Sequence, residues 1–215
     1  GLRYSHSRGV GVRALWEGRI GYSYCTGLDW QDVGKEVEEA AANSRFSAPD
    51  EHNLLPGRGD YPGEDLGIYD SETEEEDSGR KVEMALELES LTLARDRRIA
   101  QVETAVYADT VAQVAMASTA GVEGFYRSSD CYCYVFPIAH EGDEYQTGFS
   151  FDLGVKPSDL DLSAVAEDAA ERAVCLLGSE SVPSRRTTII LDSFVAAEFL
   201  GMLASALSAE AVLKG

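Results

Sequence analysis

The chain has 215 residues, of which 44% are hydrophobic, and a formal net charge of -20 at pH 7. This hydrophobic content excludes wholesale disorder, and the acidic charge argues against nucleic-acid binding because phosphate contacts need clustered lysine and arginine. Four scattered cysteines are too few for a disulfide scaffold in a chain of this length. No apolar run approaches the roughly 20 residues that span a bilayer, so we expect a soluble, cytoplasmic protein.

The N-terminal part predicts a hairpin followed by a helix. Apolar residues alternate with small or charged ones over residues 9–26, and Glu17-Gly18 supplies a tight turn. Asp29 is placed as an N-cap, and the helix is expected to end near Asn43.

Residues 44–80 break this pattern. Prolines and glycines are followed by the acidic run from Glu74 to Asp77. Such a run can coordinate cations, but like-charge blocks usually form solvated surfaces, so we expect a long, mobile, charged connection.

The central part predicts a helix and an antiparallel meander. A broad apolar stripe over residues 81–95 is typical of a packing helix. Period-two patterns follow at residues 102–106, 111–117, 131–138 and 145–151, with turn residues at 108–109 and 119–121. The connections are too short for crossover helices, which favours antiparallel pairing.

The last part predicts two helices around a short strand. Asp161 caps a helix that Gly178 closes, residues 187–191 are typical of a short buried strand, and Asp192 begins a helix through Leu207. We therefore predict an α+β fold. Residues 1–80 form a hairpin-helix unit with an acidic linker, residues 81–183 a central α+β meander domain, and residues 184–215 the start of a truncated C-terminal domain.

Several side chains of the meander invite a chemical interpretation. On a strand, Cys131 and Cys133 share one face, and Tyr132, Tyr134 and Phe136 share the other. A zinc site needs about four ligands, and no second Cys or His pair follows at a suitable spacing, so buried cysteines are the favoured interpretation. The three aromatic side chains could line a peptide groove, although ordinary strand packing is the favoured interpretation.

The histidines do not form a recognisable metal or triad pattern. His140-Glu141 begins like a zinc-peptidase helix, but no second histidine follows one turn later. The three histidines, His6, His52 and His140, are far apart and in turn-like contexts, and no serine lies in a Gly-x-Ser-x-Gly elbow. The residues alone therefore predict no catalytic or metal-binding residue.

Several stretches, in this order, are similar to the TldD/PmbA family, once called modulators of DNA gyrase and understood as cytoplasmic zinc metallopeptidases. They are RGVGVR from Arg8, EGRIGY from Glu17, GFYR from Gly124, QTG from Gln146, AAER from Ala169 through Val182-Pro183, and LSAEAV from Leu207 with Lys214-Gly215. The resemblance implies an α+β N-terminal region and a larger, mostly β C-terminal domain that is almost wholly absent from this sequence.

The resemblance also implies which kind of member this is. TldD-type members carry H-E-x-x-x-H, whose histidines bind zinc and whose glutamate acts as base; PmbA (TldE)-type members lack it and pair with TldD. The three positions fall on Leu200, Gly201 and Ser205, and residues 187–215 contain no histidine. The sequence thus resembles a PmbA-type subunit without its own cofactor, whose TldD-type partner carries zinc.

Three hypotheses follow for the function. The first is a PmbA-type subunit, pairing with a TldD-type subunit or with itself, of a metallopeptidase that acts on small or unfolded peptides. The second is a stand-alone peptide-binding module that uses Tyr132, Tyr134 and Phe136. The third is an enzyme in its own right, with metal ligands in the C-terminal half that is missing here. None involves direct contact with nucleic acid or membrane.

Overall fold

The computed structural model describes residues 1–59 and 65–214. The chain forms two compact units, Gly1–Gly178 and Ser179–Gly215. The acidic run from Glu74 to Asp77 lies in the described part, and Gly215 lies outside it.

A hairpin and a helix begin the first unit, as predicted. Strands β1 (Val10–Trp16) and β2 (Arg19–Cys25) pair antiparallel, and the turn places Glu17 and Gly18 at positive φ. Helix α1 (Trp30–Ser44) begins after Asp29, whose carboxylate accepts hydrogen bonds from the first-turn amides. The helix packs against the hairpin where a glycine, Gly21, lets the two backbones approach closely.

The last part of the predicted charged connection contains helices, so the expectation of a mobile connection is wrong for that part. Helix α2 (Ser71–Glu75) lies within it, and helix α3 (Ser78–Arg95) begins three residues earlier than predicted. Buried Thr73 donates a hydrogen bond to the Val155 carbonyl oxygen at 2.8 Å. The carboxylate of Glu72 accepts hydrogen bonds from the amide and hydroxyl groups of Ser158. These partners are 82 and 86 residues away, which is why local charge density did not reveal them.

The meander is built on two long strands. Strands β3 (Ile99–Ala117) and β4 (Glu123–Glu141) form an antiparallel hairpin, and β4 also pairs with β5 (Glu144–Thr147) and β6 (Ser150–Gly154) along its other edge. Antiparallel pairing is confirmed, but the predicted turn at residues 108–109 is wrong. Asp109 continues the strand opposite Cys131, and its carboxylate lies 2.7 Å from the ammonium group of Lys81 on α3.

The core lies on one face of this sheet. Helix α4 (Leu162–Val174), capped by Asp161 as predicted, and α3 both pack there; a single 3-10 turn at Pro157–Asp159 precedes α4. One cluster of buried side chains joins α3, β4 and α4; its members are Leu88, Cys133, Val135, Val165, Ala166 and Ala169. The β4 side chains on the opposite face of the sheet therefore lie outside this cluster.

The second unit contains helices α5 (Ser193–Ala206) and α6 (Ala209–Lys214). Asp192 caps α5, as predicted. The buried strand predicted at residues 187–191 is wrong: this stretch is not a strand, and Ile189 and Ile190 are 75% and 93% exposed. A strand requires a hydrogen-bonding neighbour, and within residues 1–59 and 65–214 this stretch has none. Across the described residues, no helix reaches the length and apolar character needed to cross a membrane.

Candidate functional site

The candidate site is the face of β4 that points away from α3 and α4. Cys131 and Cys133 are 1% and 0% exposed and point toward the helices, as the strand alternation predicts. Tyr132 is 40% exposed, and Tyr134 and Phe136 are half-buried on the opposite face. The period-two geometry of β4 thus separates a core face from an open aromatic face.

The aromatic side chains of the open face form a continuous cluster. The rings of Tyr132 and Tyr134 stack with centroids 6.2 Å apart, and Phe136 meets Tyr134 edge-on at 5.9 Å. Phe149 lies 4.7 Å from Phe136 and 5.8 Å from Phe151 on β6. Such spacings are typical of favourable aromatic pairs. We call these five rings the aromatic face.

Sequence reasoning missed two members of this face. Phe149 and Phe151 lie in the last predicted period-two run, and Phe151 stands opposite Tyr134 in the β4–β6 register. The two-residue spacing of these phenylalanines was visible in the sequence. What was not visible was the register of β6 against β4, because it depends on pairing between separate strands.

The two buried thiols are poor nucleophiles and poor ligands. Burial raises the pKa of Cys131 and of Cys133 to about 11, and the nearby carboxylates of Asp159 and Asp109 add to the effect at Cys131. At Cys133 a hydrogen bond with the Asp152 backbone partly offsets the effect of burial on the pKa. Both groups are therefore neutral thiols at pH 7, and only the thiolate attacks electrophiles or binds metal strongly. They fill the core beneath the sheet.

His140 belongs to strand β4 rather than to a turn, which corrects the expectation of a turn-like context. Its ring stacks on Tyr145 of β5 at 4.3 Å, and its Nε2 lies 2.7 Å from the Gly142 carbonyl oxygen. Glu141 follows on the same strand, so the two side chains point to opposite faces of the sheet. Within residues 1–59 and 65–214 there is no group of three or more His, Cys, Asp or Glu side chains placed to hold a metal ion.

An ionic cluster fastens the segment before α2 onto β4. The Arg127 guanidinium lies 4.0 Å above the Tyr69 ring and pairs with Glu74. The Tyr69 hydroxyl donates to Glu74 at 2.7 Å, a hydrogen bond that raises the pKa of Tyr69 and lowers the pKa of Glu74. Two further hydrogen bonds join this segment to β4. The Ser129 amide donates to the Ile68 carbonyl oxygen, and the Asp70 amide donates to the Ser129 hydroxyl. This cluster has a structural role.

A shallow cleft of about 410 Å³ lies at the end of α3, lined by Arg95, Asp96, Arg97, Arg98 and Glu141. Its arginines are largely occupied within the fold. Arg98 forms two hydrogen bonds with Asp96, which lower the pKa of that carboxyl to about 2, and Arg95 bonds Ser163 and Glu167. The helix C-terminus, with its partial negative charge, accounts for these cations better than an anionic ligand does.

The three positions that the resemblance marks for zinc chemistry lie on α5. Leu200 is 64% exposed, and the Ser205 hydroxyl donates to the Gly201 carbonyl oxygen at 3.1 Å. Leucine has no donor atom, glycine has no side chain, and a serine hydroxyl is a weak zinc ligand. These side chains cannot form a zinc site.

Comparison with known proteins agrees with this architecture. The family model of the PmbA/TldA metallopeptidase domain 1 matches residues 1–45. The family model of the PmbA/TldA metallopeptidase central domain matches residues 72–177. The metalloprotease PmbA homolog of Buchnera aphidicola subsp. Baizongia pistaciae is 25% identical over 198 residues, covering 88% of this chain and 43% of the relative. The chain spans less than half the length of this curated relative.

Solved structures show the same fold. A proposed modulator of DNA gyrase from Bacteroides thetaiotaomicron superposes with a TM-score of 0.84 at 22% identity, covering 96% of this chain and 48% of that protein. A second proposed modulator of DNA gyrase, from Thermotoga maritima, superposes with a TM-score of 0.70 at 24% identity, covering 82% of this chain and 39% of that protein. TldE from Thermococcus kodakarensis superposes with a TM-score of 0.65 at 20% identity, covering 75% of this chain and 36% of that protein.

The fold and the matched domains define a metallopeptidase-like α+β protein. The two domain models together match well over half of the sequence. The chain belongs to the PmbA/TldD family.

Proposed function

We propose that this protein is the PmbA-type, zinc-less subunit of a two-component metallopeptidase that cleaves small or unfolded peptides in the cytoplasm. The observation that supports the proposal is the composition of α5, which has Leu200, Gly201 and Ser205 at the positions that the resemblance assigns to the zinc motif. The likeness in fold to TldE is consistent with this role. The catalytic zinc would be bound by a TldD-type partner.

The role of this chain would be to complete and enclose a shared chamber. The aromatic face supports this proposal because apolar rings contact peptide side chains without requiring a particular sequence. The neutral thiols beneath that face supply no nucleophile, so the subunit would hold the peptide and leave bond cleavage to its partner.

A mixing assay tests the proposal. The protein, a TldD-type subunit from the same source and their equimolar mixture are each incubated with an unfolded peptide, with and without a zinc chelator. We expect zinc-dependent cleavage in the mixture to exceed the sum of the separate rates by at least about tenfold, the range in which completing a positioned site usually acts. Equal rates with and without this protein would contradict the proposal.

Metal analysis of the full-length protein without a partner separates this proposal from an independent enzyme. We expect less than about 0.1 equivalent of zinc after dialysis, because Leu200, Gly201 and Ser205, at the positions that the resemblance assigns to the zinc motif, offer no good ligand. One tightly bound equivalent, together with cleavage in the absence of any partner, would establish the independent enzyme instead.

A stand-alone peptide-binding module is the second candidate, favoured by the exposure of the aromatic face. In that case calorimetry without a partner would detect binding of unfolded peptides, and Tyr132→Ala with Tyr134→Ala would weaken it by about tenfold, since each lost stacking contact contributes roughly 0.5–1.5 kcal/mol. Tyr24→Ala is the matched control, because Tyr24 is 71% exposed on the separate hairpin. Equal weakening by the control, or no binding at all, would exclude this candidate.

A further inference from the structure

One charged residue lies in line with the aromatic face. Residues two apart on a strand share a face, so Asp130 points to the same side of β4 as Tyr132 and Tyr134. Asp130 is exposed, and so is Tyr132 beside it. The aromatic face therefore continues, at the end nearer the β3–β4 turn, into a carboxylate that solvent reaches.

The Asp130 carboxylate has no counter-charge within the fold. Its neighbours on this face are uncharged: Ser128 precedes it, Tyr132 follows it and Thr110 lies opposite it on β3. In the described part of the chain, no ion pair and no side-chain hydrogen bond involves this carboxylate. The folded chain thus leaves the charge available to a ligand.

The strands around Asp130 carry almost no positive charge. Strands β3 to β6 contain a single lysine or arginine, Arg127. By the alternation of β4, Arg127 points to the face opposite Asp130, where it pairs with Glu74. The chain as a whole has a net charge of -20, and such a field raises the local concentration of cationic ligands. The charges of this face and of the chain therefore favour a basic ligand over an acidic one.

The spacing of the rings matches an extended peptide. The ring centroids of Tyr132 and Tyr134 are 6.2 Å apart. Side chains on one side of an extended chain repeat every two residues, or about 6.6 Å. A peptide that lies along β4 can therefore place successive same-side side chains over successive rings. Lysine and arginine suit the Asp130 end, because a cation is attracted both to a carboxylate and to the face of a tyrosine ring.

We propose that the aromatic face binds extended peptide segments in which a lysine or arginine lies two residues from an apolar side chain. The cation pairs with the Asp130 carboxylate beside the Tyr132 ring, and the apolar side chain covers Tyr134. Aspartate or glutamate in the basic position is disfavoured, because like charges meet at Asp130. The inference rests on the proposed function in taking the ligand to be a peptide, and it adds the class of peptide.

Three synthetic peptides that differ at one position test the proposal. They share a sequence of alternating valine and serine, and they carry arginine, glutamine or glutamate in place of the central valine. Calorimetry with this chain at low salt measures the three dissociation constants. We expect the arginine peptide to bind about fivefold more tightly than the glutamine peptide, as an exposed ion pair and a cation–π contact together provide. The glutamate peptide should bind more weakly than either.

Variants of Asp130 separate a local site from the field of the whole chain. Asp130→Asn should abolish the preference for arginine and leave the affinity for the glutamine peptide unchanged, whereas Asp130→Glu should retain the preference. Asp143→Asn is the matched control, because Asp143 is exposed in the turn between β4 and β5 and its loss changes the net charge equally. Circular dichroism verifies that each variant folds. An equal loss of preference in the control would assign it to net charge alone and would overturn the proposal.

The same peptides are also given to the mixture with a TldD-type subunit, in which the ratio of kcat/KM for the arginine and glutamine peptides is measured. A preference that depends on Asp130 in either measurement supports the inference, even if the mixture cleaves no faster than the separate proteins. Faster cleavage by the mixture without such a preference would overturn the inference and leave the proposed function intact. No preference in either measurement would overturn the inference as well.

Discussion

Replacing Gly148 with alanine is expected to lower the free energy of unfolding by about 3 kcal/mol or more, the upper range for overpacking a core. A Cβ at this position would overlap the Ala169 carbonyl oxygen and would lie 2.7 Å from the Ala173 amide nitrogen. These are backbone atoms of α4, so no side chain can rotate away. The helix would have to withdraw from the sheet, and the contacts around Ala169 and Ala173 would open.

Gly124→Ala provides the matched control for this prediction. Gly124 lies on β4 with no atom within 4 Å of the position its Cβ would take, so alanine should change the stability by at most about 1 kcal/mol. Urea unfolding monitored by far-UV circular dichroism measures both variants. Equal stabilities of the two variants would show that α4 and the sheet are not packed as closely as described.

Raising the pH from 9 to 11 is expected to lower the free energy of unfolding by up to about 2–3 kcal/mol for each of the two core thiols. Burial raises the pKa of Cys131 and Cys133 from the ordinary value of 9.0 to about 11. In this window the unfolded chain has lost the thiol protons and the folded chain retains them. Stability is therefore full below pH 9 and falls as the pH rises through 11.

The double variant Cys131→Ala, Cys133→Ala tests the cause of this dependence. It should be less stable than the parent at pH 7, because each alanine leaves a small cavity, but its stability should fall less between pH 9 and 11. Tyr107 contributes to the loss that remains, because burial and the charge of Asp109 raise its pKa. The zinc content of the double variant should equal that of the parent. An unchanged pH profile would mean that the thiols are not buried.

Local signals were sufficient where one residue decides an element boundary. Asp29, Asp161 and Asp192 each accept hydrogen bonds from amides of the helix that follows, so the starts of α1, α4 and α5 could be predicted from capping chemistry. The alternation of β4 predicted which side chains share a face, because the period of a strand does not depend on its neighbours.

Distant partners decided the elements that were mispredicted. Ala108-Asp109 has the composition of a turn, but Lys81 on α3 neutralises the aspartate and the strand continues. Glu74 begins the acidic run and Glu72 lies just before it, yet both contact distant elements, Glu72 through Ser158 and Glu74 through Arg127. Residues 187–191 have the composition of a strand, but no strand in the described part of the chain pairs with them. Composition describes the segment itself, whereas each of these outcomes depends on what lies beside it.

The long β3–β4 hairpin also affects how the chain folds. Its pairs range from Ala117 with Glu123, six residues apart, to Ile99 with Ala139, forty apart, so the end near the turn forms most readily. That end carries none of the buried core cluster, which begins at Cys133 and Val135 and needs α4 from some thirty residues further along. Early formation of the strand pairs near the turn therefore contributes little free energy. We expect the arrival of α4 on the sheet to limit the folding rate.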